Sequence, residues 1–242
     1  MSRLQPPADP CPQAAPLLQR HALPIRGDPA PGQFDGRLEY ATLVNGRTRI
    51  LPTWLLTTSY RHVANRIAIL LGGELSTDGD GLGQSYQVCT GHTELDVLLD
   101  GTQAIRLRML RRHGSAILGS CNGRTQQTPD GDPPCQCPVA LNARRDVAKT
   151  GRGCEPSVQL TCRLTGDPAI GTFLYSSAAW AFAEHASAVR VAIQRCRRPV
   201  LVRLGINRAL HTAASGTTFA YTQATVTVLS SASSYWSPSP GT

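Results

Sequence analysis

The chain has 242 residues, 41% of them hydrophobic, and a formal net charge of +8. That length buries a sizeable core, either as one domain with an insertion or as two small interlocked halves; no stretch approaches the roughly 20 apolar residues of a membrane span, and the N-terminus lacks the apolar core of a signal peptide. The expectation is a soluble globular protein of the cytoplasm, where eight cysteines are metal ligands or core residues before they are disulfides.

Residues 1–35 hold eight prolines with no periodic apolar pattern and predict an extended or disordered Pro-rich arm. An N-terminal α+β half follows, at 36–118. Leu38, Tyr40 and Thr42, then Asn45-Gly46 and Arg47 to Leu51, predict a hairpin, because Asn-Gly supplies the two positive φ angles of a type I′ turn. Trp54-Leu55-Leu56 runs into Thr57-Thr58-Ser59, which can cap a helix carrying Val63, Ala64, Ile67, Ala68 and Leu71 before Gly72-Gly73 end it. Residues 74–85 read as an acidic, Gly-rich loop. Its Asp78-Gly79-Asp80-Gly81 opens like a calcium loop, but the fifth and twelfth positions are Leu82 and Cys89, so a solvated turn is expected. Glu94 to Leu99 and Ala104 to Leu110 predict strands, the second with Ile105, Leu107 and Met109 facing a core and Arg106 and Arg108 facing water.

The next stretch, residues 119–156, is rich in Gly, Pro, Asp and Arg and cannot build a core of its own. Cys121, Cys135, Cys137 and Cys154 offer another staple, four thiolates around one structural zinc ion. Their spacing lacks the paired C-x-x-C knuckles of common zinc sites, and His113 stands nearby as a reserve ligand. Four thiolates leave no open position for water, so such a site is structural rather than hydrolytic. Arg111, Arg112, Arg124, Arg144, Arg145, Lys149 and Arg152 surround the segment. Charge is uneven, with a balance of −2 over residues 1–100 and +10 over 101–242. Lys149 is the only lysine, so part of the arginine content reflects coding bias rather than phosphate contact.

The C-terminal α+β half spans 157–230. Val158, Leu160, Cys162 and Leu164 alternate with polar residues as one strand, which makes Cys162 a buried hydrophobe rather than a ligand. Gly171 to Tyr175 form a strand, Ser176-Ser177 a cap, and Ala178 to Arg195 a helix with Ala179, Phe182, Ala186, Val189 and Ile193 turned inward. Val200 to Ile206 and Phe219 to Leu229 close the fold, and residues 231–242 are a disordered tail. Thr53 to Ser59 and Thr172 to Ala178 share one pattern of Thr, aromatic, Leu, bulky apolar and two hydroxyl residues before a helix, as two units about a pseudo-twofold axis would. The fold class is therefore α+β, with mixed or antiparallel sheets, two strand-turn-helix units and an inserted zinc-stapled loop segment.

No G-x-S-x-G elbow, phosphate-binding loop, dinucleotide fingerprint or H-E-x-x-H occurs, and the six histidines are dispersed. No catalytic residue is assigned. Two rival classes stay open on the residues alone. One is a zinc-knuckle DNA- or RNA-binding regulatory protein; the other is a metallohydrolase using His113 or Asp132 beside an open metal position.

The order Cys121-Asn122-Gly123, Cys135-x-Cys137, Cys154-x-Pro156, a strand, then Leu164 through Phe173 and Ser176 to Trp180, resembles a family of actinobacterial and actinophage proteins. Its members include the recombination directionality factors that accompany large serine integrases, and relatives are labelled metal-binding proteins. The resemblance covers residues 105–185, with a weaker echo over 37–73. Asn122 replaces the aspartate expected before the glycine, and the stretch between Cys137 and Cys154 is less acidic than expected. The resemblance implies a non-enzymatic switch that binds a serine integrase on its DNA attachment sites and turns it from integration to prophage excision. The alternative is the zinc-knuckle regulator without an integrase partner. The resemblance also implies work in the bacterial host cytoplasm if the chain is phage-encoded, no membrane and no small-molecule substrate. Direct DNA contact is left open.

Overall fold

A computed structural model of the chain describes residues 34–231 apart from 45–46, 79–84, 114–115, 123–124, 128–132, 152, 197–198 and 213–214. Residues 1–33 of the expected arm, 232–242 of the expected tail, the Asn45-Gly46 turn, and the Gly79 to Gly81 part of the calcium-like sequence lie outside these residues. β1 (Gly36–Val44) and β2 (Arg47–Thr58) form the first hairpin, with Val44 opposite Arg47 across a two-residue link. β2 runs unbroken to Thr58 and delivers α1 (Arg61–Leu71), whose buried Val63, Ala64 and Ile67 are spaced for one helical face.

The loop expected at 74–85 is corrected by two strands, β3 (Glu74–Asp78) and β4 (Ser85–Cys89), paired from Glu74–Cys89 to Asp78–Ser85. β3 is an edge strand whose Glu74, Leu75 and Thr77 are exposed. Ladder hydrogen bonds rather than an apolar face hold it, so period-2 hydrophobicity gives no signal. Gly73 makes the return to β4 feasible, since at φ +101° a Cβ there would stand 2.0 Å from Cys89 O.

β5 (Glu94–Leu99), a 3₁₀ turn at Thr102–Ala104, β6 (Ile105–His113), β7 (Ala116–Cys121) and the short β8 (Gln126–Gln127) follow. Then come α2 (Leu141–Lys149), β9 (Glu155–Leu164), a second 3₁₀ turn at Pro168–Ile170, β10 (Phe173–Ser177), α3 (Trp180–Ile193), β11 (Val200–Thr212) and β12 (Thr218–Ser231). The strands join one mostly antiparallel sheet in the order β12-β11-β5-β9-β10-β1-β2-β4-β3, with β6, β7 and β8 branching from β9. The architecture is mixed α+β.

β9 is the hub. Pro156, Val158, Leu160, Cys162 and Leu164 are buried in strict alternation, as expected of a strand with one face on the core. One side of β9 pairs β10; the other is shared end to end by β6, from Leu160–Ile105 to Glu155–Leu110, and β5, at Leu164–Val97. The residues above and below the 119–156 segment share one core, in which Trp54, Phe173, Tyr175 and Phe182 are fully enclosed. Trp54 and Phe182 each meet the Tyr175 ring edge-on, at 5.4 and 4.9 Å between centroids. Such pairs add about 1 kcal/mol each beyond burial.

The two strand-turn-helix units are β2–α1 and β10–α3. β1 lies between their strands, antiparallel to β2 and parallel to β10, so the two units run in opposite directions as a twofold relation requires. Each helix is entered through a hydroxyl residue that leaves the cap position itself bare. Thr58 Oγ1 accepts from Tyr60 N–H at 3.1 Å before α1, and Ser177 Oγ from Ala179 N–H at 3.2 Å before α3. Thr58 also donates to Asp35 O, while Asp35 N–H donates to Thr172 O and Asp35 Oδ2 accepts from Thr172 N–H, each at 2.8 Å. Replacing Thr58 by alanine strips two partners from a buried junction and should cost about 1–2 kcal/mol, read as a lowered denaturation midpoint with an unchanged m-value.

Candidate metal centre

β6 lies between β7 and β9, and its Met109 faces Cys121 on one side and Pro156 on the other. Cys121 ends β7 and is buried; Cys154 immediately precedes β9, two residues before Pro156, so register places both cysteines on one face of the sheet. Two strand spacings put their backbones roughly 10 Å apart. The connecting segment closes that gap by doubling back. Asn122 N–H donates to Thr125 O at 3.2 Å while Asn122 Oδ1 accepts from Thr125 N–H at 3.0 Å, and Gln126 N–H donates to Pro133 O at 2.8 Å. This clasp carries Cys135-Gln136-Cys137 back over the sheet.

The segment is not all loop, as the sequence suggested, because it contains α2. Most of its residues (Leu141, Ala143, Arg144, Arg145, Ala148 and Lys149) are good helix formers, with an Asp146–Lys149 ion pair at 2.8 Å, but none is fully buried, so no buried apolar stripe announces the helix. Arg144 Nε donates to Pro138 O, which fixes the chain just past Cys137. Gly153 rests on the C-terminal turn of α2, where a Cβ would stand 2.5 Å from Ala148 N. Glycine is thus required for Cys154 to reach the sulfurs.

The Sγ atoms of Cys121, Cys135 and Cys137 all lie within 4.8 Å of one another, and Cys137 Sγ stands 3.6 Å from Cys154 Sγ. Corners of a thiolate tetrahedron with 2.3 Å metal–sulfur bonds are about 3.8 Å apart. Cys121, Cys135 and Cys137 therefore form a compact group that fits a metal ion, and Cys154 touches that group through Cys137 alone. A pocket of about 310 Å³ surrounds them, lined also by Arg111, Gln126 and Arg144.

Burial pushes the Cys135 thiol up, but hydrogen bonds from Cys137 N–H and from the Cys121 and Cys137 thiols, with the Arg144 charge, outweigh it and hold Cys135 below the ordinary thiol value. Cys137 goes the other way: burial, then the neighbouring Cys135 and Cys154 sulfurs, raise it. Sulfurs as close as those of Cys121, Cys135 and Cys137 cannot all ionise unless a cation shares their charge.

Other sequence candidates fall outside this cluster. His113 is at the turn end of β6, four residues beyond Met109, and its side chain, like Asp132, lies outside what is described. Cys162 is fully buried in the core, and Cys89 packs with Leu51 and Leu55. Sequence reasoning missed Asn122 and Gly153 as supports of the site. Asn122-Gly123, an Asx-turn signal, was the available clue to the clasp.

A family model described as Gp3-like, recombination directionality factor-like, matches residues 28–229, which take in both strand-turn-helix units and Cys121, Cys135, Cys137 and Cys154. The chain belongs to that family. No curated protein and no solved structure matches it significantly. Membership gives this directionality factor-like chain a role in DNA recombination, in a family of regulatory accessory factors rather than a known enzyme class. No helix among the described residues is long and apolar enough to cross a membrane.

Proposed function

We propose that this chain binds a large serine integrase at its DNA attachment sites and switches it from integration to prophage excision, with Cys121, Cys135, Cys137 and Cys154 holding a structural zinc ion that fixes residues 119–156. The family match over 28–229 carries the reading. The thiol cluster supports the second part: its sulfurs come from the end of β7, the residue just before β9 and the folded-back segment between them, so a bound ion would brace three parts of the chain together. Bound zinc would supply the cross-link; the chain's own part is to present a fixed surface. The integrase supplies the nucleophile, and the factor need only bind one integrase arrangement better than another. A difference of about 5.5 kcal/mol carries a two-state equilibrium from 1:99 to 99:1.

Recombination in vitro with the integrase encoded in the same genome is the test. Adding the protein is expected to stimulate joining of the prophage-end sites and to inhibit integration. If neither rate moves while the protein binds nucleic acid alone with steep salt dependence, the zinc-knuckle DNA- or RNA-binding reading replaces this one.

A further inference from the structure

The β11–β12 hairpin outgrows the sheet that carries it. β5 stops pairing with β11 at Gly205, opposite Glu94, and the last backbone tie on that side is Ile206 N–H to Thr93 O at 2.8 Å. Beyond this point, among the described residues, the two strands pair only with each other, out to Thr212 opposite Thr218. Residues 207–212, at ~3.3 Å each, make a two-stranded finger about 20 Å long. A lone hairpin is marginal in water, and this one is stitched by side chains, Asn207 Nδ2 to Thr225 Oγ1 at 3.1 Å and Thr212 to Thr218 at 2.9 Å.

Its surface is not that of a solvated finger. Leu210 is 74% exposed, Phe219 50% and Tyr221 41%. Register puts Leu210 on the face that lower down meets the core, and Phe219 and Tyr221 on the opposite face, so apolar groups stand on both sides. The start of β2 lies alongside, where Ile50 shares a groove with Arg208 and Tyr221, and Arg47 and Arg49 are exposed just before it. Arg47, Arg49 and Arg208 form no ion pair among the described residues. No Asp or Glu occurs between residues 40 and 73 or after Glu184, so neither stretch carries an acid of its own.

We propose that this finger, together with Arg47, Arg49 and Ile50 at the start of β2, inserts into an apolar groove rimmed by carboxylates on the protein partner; the proposal rests on the integrase reading above. Apolar groups on both faces call for an occupant that surrounds the finger, and three uncompensated arginines call for an acidic rim. A duplex backbone would engage the arginines but leave Leu210 and Ile50 without partners, which favours protein over DNA.

The test uses the full chain with Leu210→Thr and Phe219→Thr together, which keeps strand-forming residues in the finger, and separately the charge reversal Arg208→Glu. Thermal unfolding and metal content of both should match the unsubstituted protein, because these exposed residues lie beyond the core. Titrated with the integrase encoded in the same genome, the double variant should bind at least tenfold more weakly, and Arg208→Glu severalfold more weakly. Folded variants that bind and switch the integrase undiminished overturn the finger. So does a loss confined to naked attachment-site DNA that grows with salt, which makes the finger a nucleic-acid contact. If the unsubstituted protein binds no integrase, the integrase reading itself falls, and this one with it.

Discussion

Replacing Cys135 by serine is expected to lower bound metal from about one ion per chain to near zero. Cys135 stands within reach of both Cys121 and Cys137 and accepts from Cys137 N–H at 3.4 Å, so its loss removes a ligand and the contact that orients its neighbour. Structural zinc sites contribute on the order of 10 kcal/mol to folding at neutral pH, because the unfolded chain offers no preformed site. The variant should accordingly lose ordered structure across 119–156 and solubility with it. Metal content by atomic spectroscopy and limited proteolysis give the two readouts, with Cys162→Ser as the control that keeps its metal. Acidification toward pH 5 should release the ion from the unsubstituted protein as the thiolates take up protons. A Cys135→Ser protein that retains stoichiometric zinc would remove this residue from the site.

The second large effect concerns Glu39. It is 7% exposed, and neither carboxylate oxygen has a hydrogen-bond partner among the described residues. Burial raises its pKa from 4.5 to about 7, against a smaller opposing pull from Arg37. In the unfolded chain the carboxyl ionises first, so between pH 4.5 and 7 the folded state holds the extra proton and stability falls as pH rises. Above about pH 7 the full deficit is present, roughly 3 kcal/mol, since each tenfold change in an ionisation constant is worth about 1.4 kcal/mol. Glu39→Gln, isosteric with the protonated acid, should therefore be more stable than the unsubstituted protein at about pH 8, by that amount, and indistinguishable from it near pH 4. Denaturant midpoints at the two pH values decide the matter. An equal difference at both would show that ionisation is not the cause.

Glu39 also shows where sequence reading reaches its limit. Between Leu38 and Tyr40 it looks like a solvent-facing position in an alternating strand, yet it lies opposite Leu55, whose own face packs with Leu51 and Cys89. Sheet pairing set that environment, and nothing local encodes it. The alternation of Val158, Leu160, Cys162 and Leu164 was legible because β9 has one face on the core, and the α1 and α3 stripes for the same reason. α2, β3 and the outer half of β11 were not, since each is held by backbone pairing or helix propensity with little apolar burial. Of the site, the close group of Cys121, Cys135 and Cys137 was visible, whereas the clasp at Asn122 and the fit of Gly153 against Ala148 exist only once the segment folds back.

The parallel pairing of β1 with β10 sets an order on synthesis. Gly36, Arg37 and Leu38 meet Phe173, Leu174 and Tyr175, so more than half the chain must leave the ribosome before the first strand finds its neighbour. Until then β1 and β2 travel as a hairpin with an open edge, the kind of surface that recruits other strands. Closure over such a sequence distance is intrinsically slow. In the folded chain Trp54 and Leu56 share one core with Val63 and Ile67 of α1, and Tyr175 completes it from the far side of that sequence gap.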